Sequence, residues 1–98
     1  MMPDYGLRGQ RALVTGGASG IGRGIVEALA AHGVHVALTY LSSDAGAHET
    51  VAAAQAHGVK ALAIKADLTD ETAVNAVVND TVQFLGGIDI LVTNAGGI

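Results

Sequence analysis

The sequence predicts an α/β fold: a doubly wound parallel sheet, present in part, with four strands in the order 3-2-1-4. Three observations point there. Short β-rich apolar runs alternate with helical patterns along the 98 residues. These runs show no apolar–polar alternation, as expected of strands buried on both faces. A glycine-rich turn, Thr15-Gly16-Gly17-Ala18-Ser19-Gly20-Ile21-Gly22, joins the first run to the first helix. Helices between strands argue for parallel pairing through right-handed crossovers. One domain over residues 1–98 is expected, with no linker, low-complexity segment or internal repeat.

Residues 1–10 read as a polar lead-in. Arg11-Ala12-Leu13-Val14-Thr15 is a short apolar run stopped by glycine, hence a buried strand. Ile21, Ile25 and Leu29 recur at every fourth position with Val26 beside them, which predicts a helix face running to about His32 and stopped by Gly33. Val34 to Tyr40 is the second strand. Residues 44–57 are Ala-rich and favour helix, ended by Gly58. Val59 to Ile64 is the third strand. Thr69 stands where it can cap the next helix, with Asp70 and Glu71 in the first turn, where the dipole favours acids. Val74, Val77, Val78, Thr81, Val82 and Leu85 fall three and four apart and form the expected buried face. Gly86-Gly87 ends that helix, and Ile88 to Thr93 is the fourth strand.

Composition narrows the function classes. Half of the residues are apolar, but the aromatic ones are only Tyr5, Tyr40 and Phe84. Core volume must therefore come from Val, Leu, Ile and Ala, which suits close packing of helix on sheet. The net charge is −4, with no cluster of Lys or Arg. Nucleic acid is a poor partner for such a surface, because phosphate contacts need basic residues. The absence of cysteine excludes disulfides and thiolate chemistry within this chain. The first residues lack the basic start and apolar run of a signal peptide, and no apolar stretch of about 18 residues could span a bilayer. No membrane partner and a cytoplasmic location are expected. His32, His35, His48 and His57 lack metal-ligand spacing, so no metal site is assigned. His32 and His57 fall near helix C-termini, and His35 fits either a strand or a ligand rim.

The glycine turn carries the chemistry. Gly16 leaves the strand where a side chain would crowd the turn. Gly20 lets the backbone approach a pyrophosphate, and Gly22 lets the helix pack near the sheet. The N–H groups of the first helical turn then face the phosphates, aided by the helix dipole. Ser19 adds a hydroxyl donor. The spacing Gly-x-x-x-Gly-x-Gly is not Gly-x-Gly-x-x-Gly. No Gly-Lys-Ser/Thr occurs either, so ATP or GTP hydrolysis is not expected. Ligands of open α/β sheets sit beyond the C-terminal ends of the strands, where Gly16, Tyr40, Asp67 and Asn94 fall. Plainer roles stay open: Asp67 could cap the following turn, and Asn94 could bond its own backbone.

Thr15-Gly16-x-x-x-Gly20-Ile21-Gly22 with Asn94-Ala95-Gly96, and Asp67-Leu68 between them, resembles the short-chain dehydrogenase/reductase family, which has a Rossmann-like fold. The approach Leu7 to Val14 is similar to that family's opening. The resemblance runs along essentially the whole chain but covers the first half of a typical member. The nearest likeness is to bacterial reductases of 3-oxoacyl thioesters and related alcohol or sugar dehydrogenases. It implies that Asp67 accepts a hydrogen bond from the adenine amino group and that Leu68 supplies a backbone contact. It implies that Asn94 braces the sheet while Ala95 and Gly96 line the ribose and nicotinamide side. Thr93 stands where the family commonly has Asn, and as a β-favouring residue it preserves the strand. The resemblance further implies a homo-oligomer for the full-length protein.

An acid at the end of the second strand would bind the adenosine ribose hydroxyls and repel a 2′-phosphate. Tyr40 stands there instead, followed by Leu41-Ser42-Ser43, and the first acid is Asp44. NADP is therefore the expected cofactor and NAD the second choice. Ser42 and Ser43 are candidate phosphate partners, with Arg23 approaching less directly. Alternatively, Tyr40 packs beneath adenine and Ser43 caps a helix. Lys60 and Lys65 come too early to be the family's catalytic lysine, and Asp89 reads as a turn partner. The family's Ser and Tyr-x-x-x-Lys do not occur in these 98 residues, so no catalytic residue is assigned and the chain alone is expected to be inactive. The expected function of the intact protein is hydride transfer between a nicotinamide cofactor and a carbonyl or alcohol substrate. The alternatives are a noncatalytic dinucleotide-binding or regulatory module, and a structural fragment that needs a partner chain at the free edge of the fourth strand.

Overall fold

The computed structural model describes residues 6–94. Seven elements alternate: β1 (Arg11–Thr15), α1 (Gly20–Ala31), β2 (His35–Tyr40), α2 (Asp44–Gln55), β3 (Ala61–Lys65), α3 (Glu71–Leu85) and β4 (Ile90–Thr93). The strands form one sheet in the order β3-β2-β1-β4. Every pairing is parallel, with Leu13 between Ala37 and Leu91, and Tyr40 beside Lys65. The chain steps outward from β1 to β3, then returns to the other side of β1. That reversal places the switch point of the sheet between β1 and β4.

Successive strand residues point to opposite faces, and two clusters result. On one face Val14, Val36, Leu38 and Ala61 pack against Val26 and Ala30 of α1 and Ala47 and Ala54 of α2. On the other, Leu13 and Ala37 meet Val77 and Leu85 of α3, flanked by Leu62 and Ile64. Two helices on one face and one on the other is the arrangement that right-handed crossovers produce. The buried hydrophobic residues include no aromatic side chain. Small side chains bring the helices close to the sheet.

The helix faces differ from the simple periodicity. In α1 the buried positions are Gly22, Val26 and Ala30. Ile25 and Leu29 pack on the flank, and Ile21 is 76% exposed. The sheet takes the line through Gly22, Val26 and Ala30 at the closest approach, leaving Ile21, Ile25 and Leu29 to the side. In α3, Val77, Thr81 and Leu85 are buried, whereas Val74, Val78 and Val82 are partly exposed. Helix α3 is the single helix on its face among the described residues, so only the line directly above the strands is covered. Leu91, the register partner of Leu13, is exposed on that same face.

Element ends are decided by specific bonds. Asp70, not Thr69, caps α3, accepting the Thr72 N–H at 2.9 Å. Thr69 is drawn back to Asp67 instead. Gly86, with φ of 91°, closes α3 in the left-handed conformation. Strand β3 begins at Ala61 rather than Val59, and β4 at Ile90 rather than Ile88, where their ladders with β2 and β1 begin. Strand β2 begins at His35, whose Nδ1 accepts the Lys60 N–H at 3.0 Å, so this histidine belongs to the strand end away from the glycine turn.

At that same end, Arg11 and Asp89 clip β1 to the approach to β4. The guanidinium donates from Nε to Asp89 Oδ2 at 2.9 Å and from Nη2 to Oδ1 at 3.1 Å. The Arg11 N–H also reaches Oδ2 at 2.9 Å, and Nη1 donates to the Gly86 carbonyl at 3.1 Å. Hydrogen bonds from the Arg11 side chain and backbone hold the Asp89 carboxyl below its usual pKa. Because the folded-state pKa is depressed, the stabilisation is present above the ordinary carboxylate pKa and is lost as pH falls through the folded value. Asp89→Asn should therefore lower the unfolding temperature at neutral pH, and its deficit should shrink as pH drops below about 4. Thermal unfolding of both proteins across that range is the check. A deficit independent of pH would show that the charge of the clip contributes nothing.

Candidate functional site

Strand β1 ends at Thr15 and the chain reverses through Gly16, at φ of 71°, before α1 opens at Gly20, at φ of 59°. Both values lie in the left-handed region that favours glycine. The turn is fastened to its neighbours on both sides. Thr39, buried near the end of β2, accepts the Gly16 N–H on its hydroxyl at 3.1 Å and the Gly17 N–H on its carbonyl at 3.0 Å. On the β4 side, Asn94 donates from Nδ2 to the Gly16 carbonyl at 3.3 Å, and its N–H donates to Thr15 Oγ1 at 2.9 Å. Gly22 makes this possible: a Cβ there would lie 2.0 Å from the Gly16 oxygen and 2.6 Å from Asn94 Nδ2.

What remains of the turn is accessible. Ser19, Gly20 and Ile21 are exposed. Ser19 is the N-cap of α1 in an extended conformation, yet its side chain makes no capping hydrogen bond. The first N–H groups of any helix lack an intrahelical acceptor, so the start of α1 presents donors without a side-chain cap. No atom lies within 4 Å of the place a Gly20 Cβ would take.

Beside the turn lies an open cavity of about 180 Å³. Two chain segments wall it: Gly16, Ala18 and Ser19 of the glycine turn, and Tyr40, Leu41, Ser42 and Ser43 from the end of β2 to the start of α2. None of these side chains carries a charge at neutral pH. Burial raises the Tyr40 phenol pKa, and a hydrogen bond to the Asp44 carboxylate raises it further. Asp44 also lies 3.8 Å from Lys65 Nζ. Arg23 is held by Glu27 at 3.0 Å and by Glu49 at 2.9 Å. Ser43 caps α2, its hydroxyl accepting the Gly46 N–H at 3.2 Å.

Of the residues singled out in the sequence, the fold brings Gly16, Ser19, Tyr40 and Ser42 together at the cavity. Gly20, Ile21 and Gly22 lead from it into α1. Asn94 is tied to Gly16 rather than to its own backbone. Asp67 and Leu68 follow β3, toward the far edge of the sheet. Asp67 is exposed, and its Oδ1 accepts from the Thr69 hydroxyl at 2.7 Å and the Thr69 N–H at 3.0 Å, bonds that lower its carboxyl pKa. The Leu68 side chain packs into the cluster beneath α3. Ala95 and Gly96 lie outside the described residues. Sequence reasoning missed Thr39, because a threonine in a strand looks like an ordinary β-former and its partner Gly16 is 23 residues away. Leu41 and Ala18, both on the cavity wall, carry no local signal of that placement.

Among the described residues no group of three or more His, Asp or Glu could hold a metal ion. No helix among them is long and apolar enough to cross a membrane. The family model described as short chain dehydrogenase matches residues 10–98. The chain belongs to the short-chain dehydrogenase family.

General stress protein 39 of Bacillus subtilis (strain 168) is 46% identical to this chain over 90 residues, covering 92% of this chain and 32% of that protein. Hydroxynaphthalene reductase arp2 of Aspergillus fumigatus is also 46% identical over 90 residues, covering 92% of this chain and 33% of its own. A solved short chain dehydrogenase from Burkholderia cenocepacia J2315 in complex with NADP is 48% identical and superimposes with a TM-score of 0.84, covering 87% of this chain and 35% of that one. This chain thus spans about a third of the length of these relatives. Its four parallel strands form part of a Rossmann-like sheet.

Two glycines of α1 provide a test of the close approach. Gly22→Ala should destabilise the protein by about 1–3 kcal/mol, the usual cost of overpacking. At Gly24 nothing lies within 4 Å of the place a Cβ would take. Alanine there should instead stabilise by about 0.5–1 kcal/mol through helix propensity. Denaturant unfolding of the two variants measures both. Equal effects at the two sites would contradict the tight contact at Gly22.

Proposed function

We propose that this chain is the dinucleotide-binding part of an oxidoreductase that uses NADP and acts on a carbonyl or alcohol substrate. The observation that carries the cofactor choice is the uncharged cavity, where Tyr40 stands in place of a ribose-binding acid. The residues present fit such a ligand. The open space at Gly20 and the donors at the start of α1 suit a pyrophosphate. Ser19 and Ser42, which both line the cavity, offer hydroxyls to the 2′-phosphate end. Asp67, kept ionised by its bonds from Thr69, retains its second carboxylate oxygen as an acceptor for the adenine amino group. Leu68 contributes its backbone, Asn94 holds the turn, and Ala95 and Gly96 are assigned to the ribose and nicotinamide side. When bound, the cofactor supplies or accepts the hydride, and this chain binds and orients it.

Arg23 is committed to Glu27 and Glu49, so recognition of the 2′-phosphate falls to hydroxyl and amide donors. One or two such bonds correspond to a preference on the order of tenfold. Titration with NADP and NAD at matched ionic strength should show the tighter Kd for NADP, and an NAD preference would overturn the assignment. Tyr40→Asp should reverse the order, because a carboxylate there repels the phosphate and accepts from the ribose hydroxyls. Gly20→Val should weaken both cofactors, since its side chain enters the pyrophosphate approach and its backbone resists a positive φ. The 98-residue polypeptide should show no NADPH oxidation with carbonyl substrates, and turnover would require a proton donor among residues given other roles above.

A further inference from the structure

Helix α2 touches both walls of the cavity at one crossing. Thr50 is fully buried. Its hydroxyl donates to the Gly46 carbonyl at 2.8 Å and lies 3.4 Å from the carbonyl of Ala18. The first bond stays inside α2, whereas the second reaches the glycine turn across 32 residues of sequence. Gly46 sits at the same crossing. A Cβ there would fall 2.7 Å from the Ala18 oxygen and 2.6 Å from Ser43 Oγ. The backbone of Gly46 is not at positive φ, so conformation does not require glycine. Helix propensity would favour alanine. Close approach to Ala18 and to the capping Ser43 hydroxyl is the remaining reason for the missing side chain.

We infer that Gly46 and Thr50 are positioning residues for the cofactor, setting the distance between the two cavity walls and so favouring NADP over NAD. This rests on the proposal that the cavity takes the adenosine 2′ end. Ala18 belongs to one wall and Ser43 to the other, and Gly46 meets both. Neither Gly46 nor Thr50 lines the cavity, so each acts only through the walls. Hydrogen bonds weaken steeply once distance and angle leave a narrow range. A 2′-phosphate bound by hydroxyls from both walls therefore depends on their spacing, whereas a 2′-hydroxyl can be served from one wall. Loss of the clasp should cost NADP more than NAD.

The experiment measures Kd for NADP and for NAD, with the unfolding midpoint, for the 98-residue chain and four variants. Thr50→Val removes the hydroxyl at nearly constant volume, Thr50→Ser keeps it, Gly46→Ala forces the walls apart, and Gly24→Ala is the control in open space. Thr50→Val and Gly46→Ala should each weaken NADP by about five- to tenfold and NAD by less. Thr50→Ser and Gly24→Ala should keep the parental ratio of the two constants. If Thr50→Val and Gly46→Ala lower the midpoint but leave that ratio at the parental value, α2 serves packing alone and the inference fails. Should Gly46→Ala not fold, the two Thr50 variants decide by themselves. A parent chain that binds neither cofactor overturns the functional proposal and this inference with it. A parent that binds while the variants keep its ratio overturns the inference alone.

Discussion

A methyl group at position 22 would sit 2.0 Å from the Gly16 carbonyl oxygen, closer than any non-bonded contact allows, and the site is organised around its absence. With only hydrogen at Gly22, the start of α1 can descend onto the end of β1. The Asn94 amide can then reach over from the end of β4 to the Gly16 carbonyl. Three elements separated in sequence meet at that point, at the switch point of the sheet. The direction of α1, and with it the direction of its unpaired N–H groups, follows from this contact.

Around the contact the turn is fastened on its inner side and left accessible on its outer side. Thr39 takes the N–H groups of Gly16 and Gly17, Asn94 takes the Gly16 carbonyl, and Thr50 approaches the Ala18 carbonyl. Ser19, Gly20 and Ile21 stay exposed beyond these attachments. A backbone held this way loses little further freedom when a ligand binds, which is the physical advantage of preorganisation. The exposure of Ile21 and of the Ser19 hydroxyl follows from the same arrangement, because the buried line of α1 runs through Gly22, Val26 and Ala30.

Charge is distributed unevenly over the sheet. At the N-terminal end of β1, Arg11 and Asp89 pair directly and hold the chain entering β4. At the opposite end, the walls of the cavity are uncharged, and the ionic groups behind them are tied to one another: Arg23 to Glu27 and Glu49, and Lys65 to Asp44. These partly exposed pairs contribute little to stability. Their consequence is local, since an Arg23 side chain engaged by two carboxylates is not an uncompensated cation for a phosphate.

The strands, the glycine turn and the order 3-2-1-4 were legible in the sequence because each rests on local pattern or on a general rule of connection. Arg11–Thr15 is apolar and ends at glycine, and β1 has those bounds. Alternation of strands with helices, joined to the handedness rule, leaves few topologies. Gly16 and Tyr40 were singled out because ligand sites gather at the ends of parallel strands, and Ser19 and Ser42 as hydroxyl donors beside them; all four line one cavity. The sequence did not disclose that Thr39 accepts from Gly16, that Thr50 meets Ala18, or that Arg23 bonds Glu49. Those partners lie 23, 32 and 26 residues apart, and no period or turn rule connects them. Nor did periodicity choose the buried line of α1 or α3, since several lines on each helix are apolar. Packing chose it. Helix α1 turned Gly22, Val26 and Ala30 to the sheet, and α3, the single described helix on the other face, buried Val77, Thr81 and Leu85 while Val74, Val78 and Val82 stayed partly exposed. Local chemistry thus determined which elements form and where the chain turns, whereas steric fit between distant segments decided which side chains face one another.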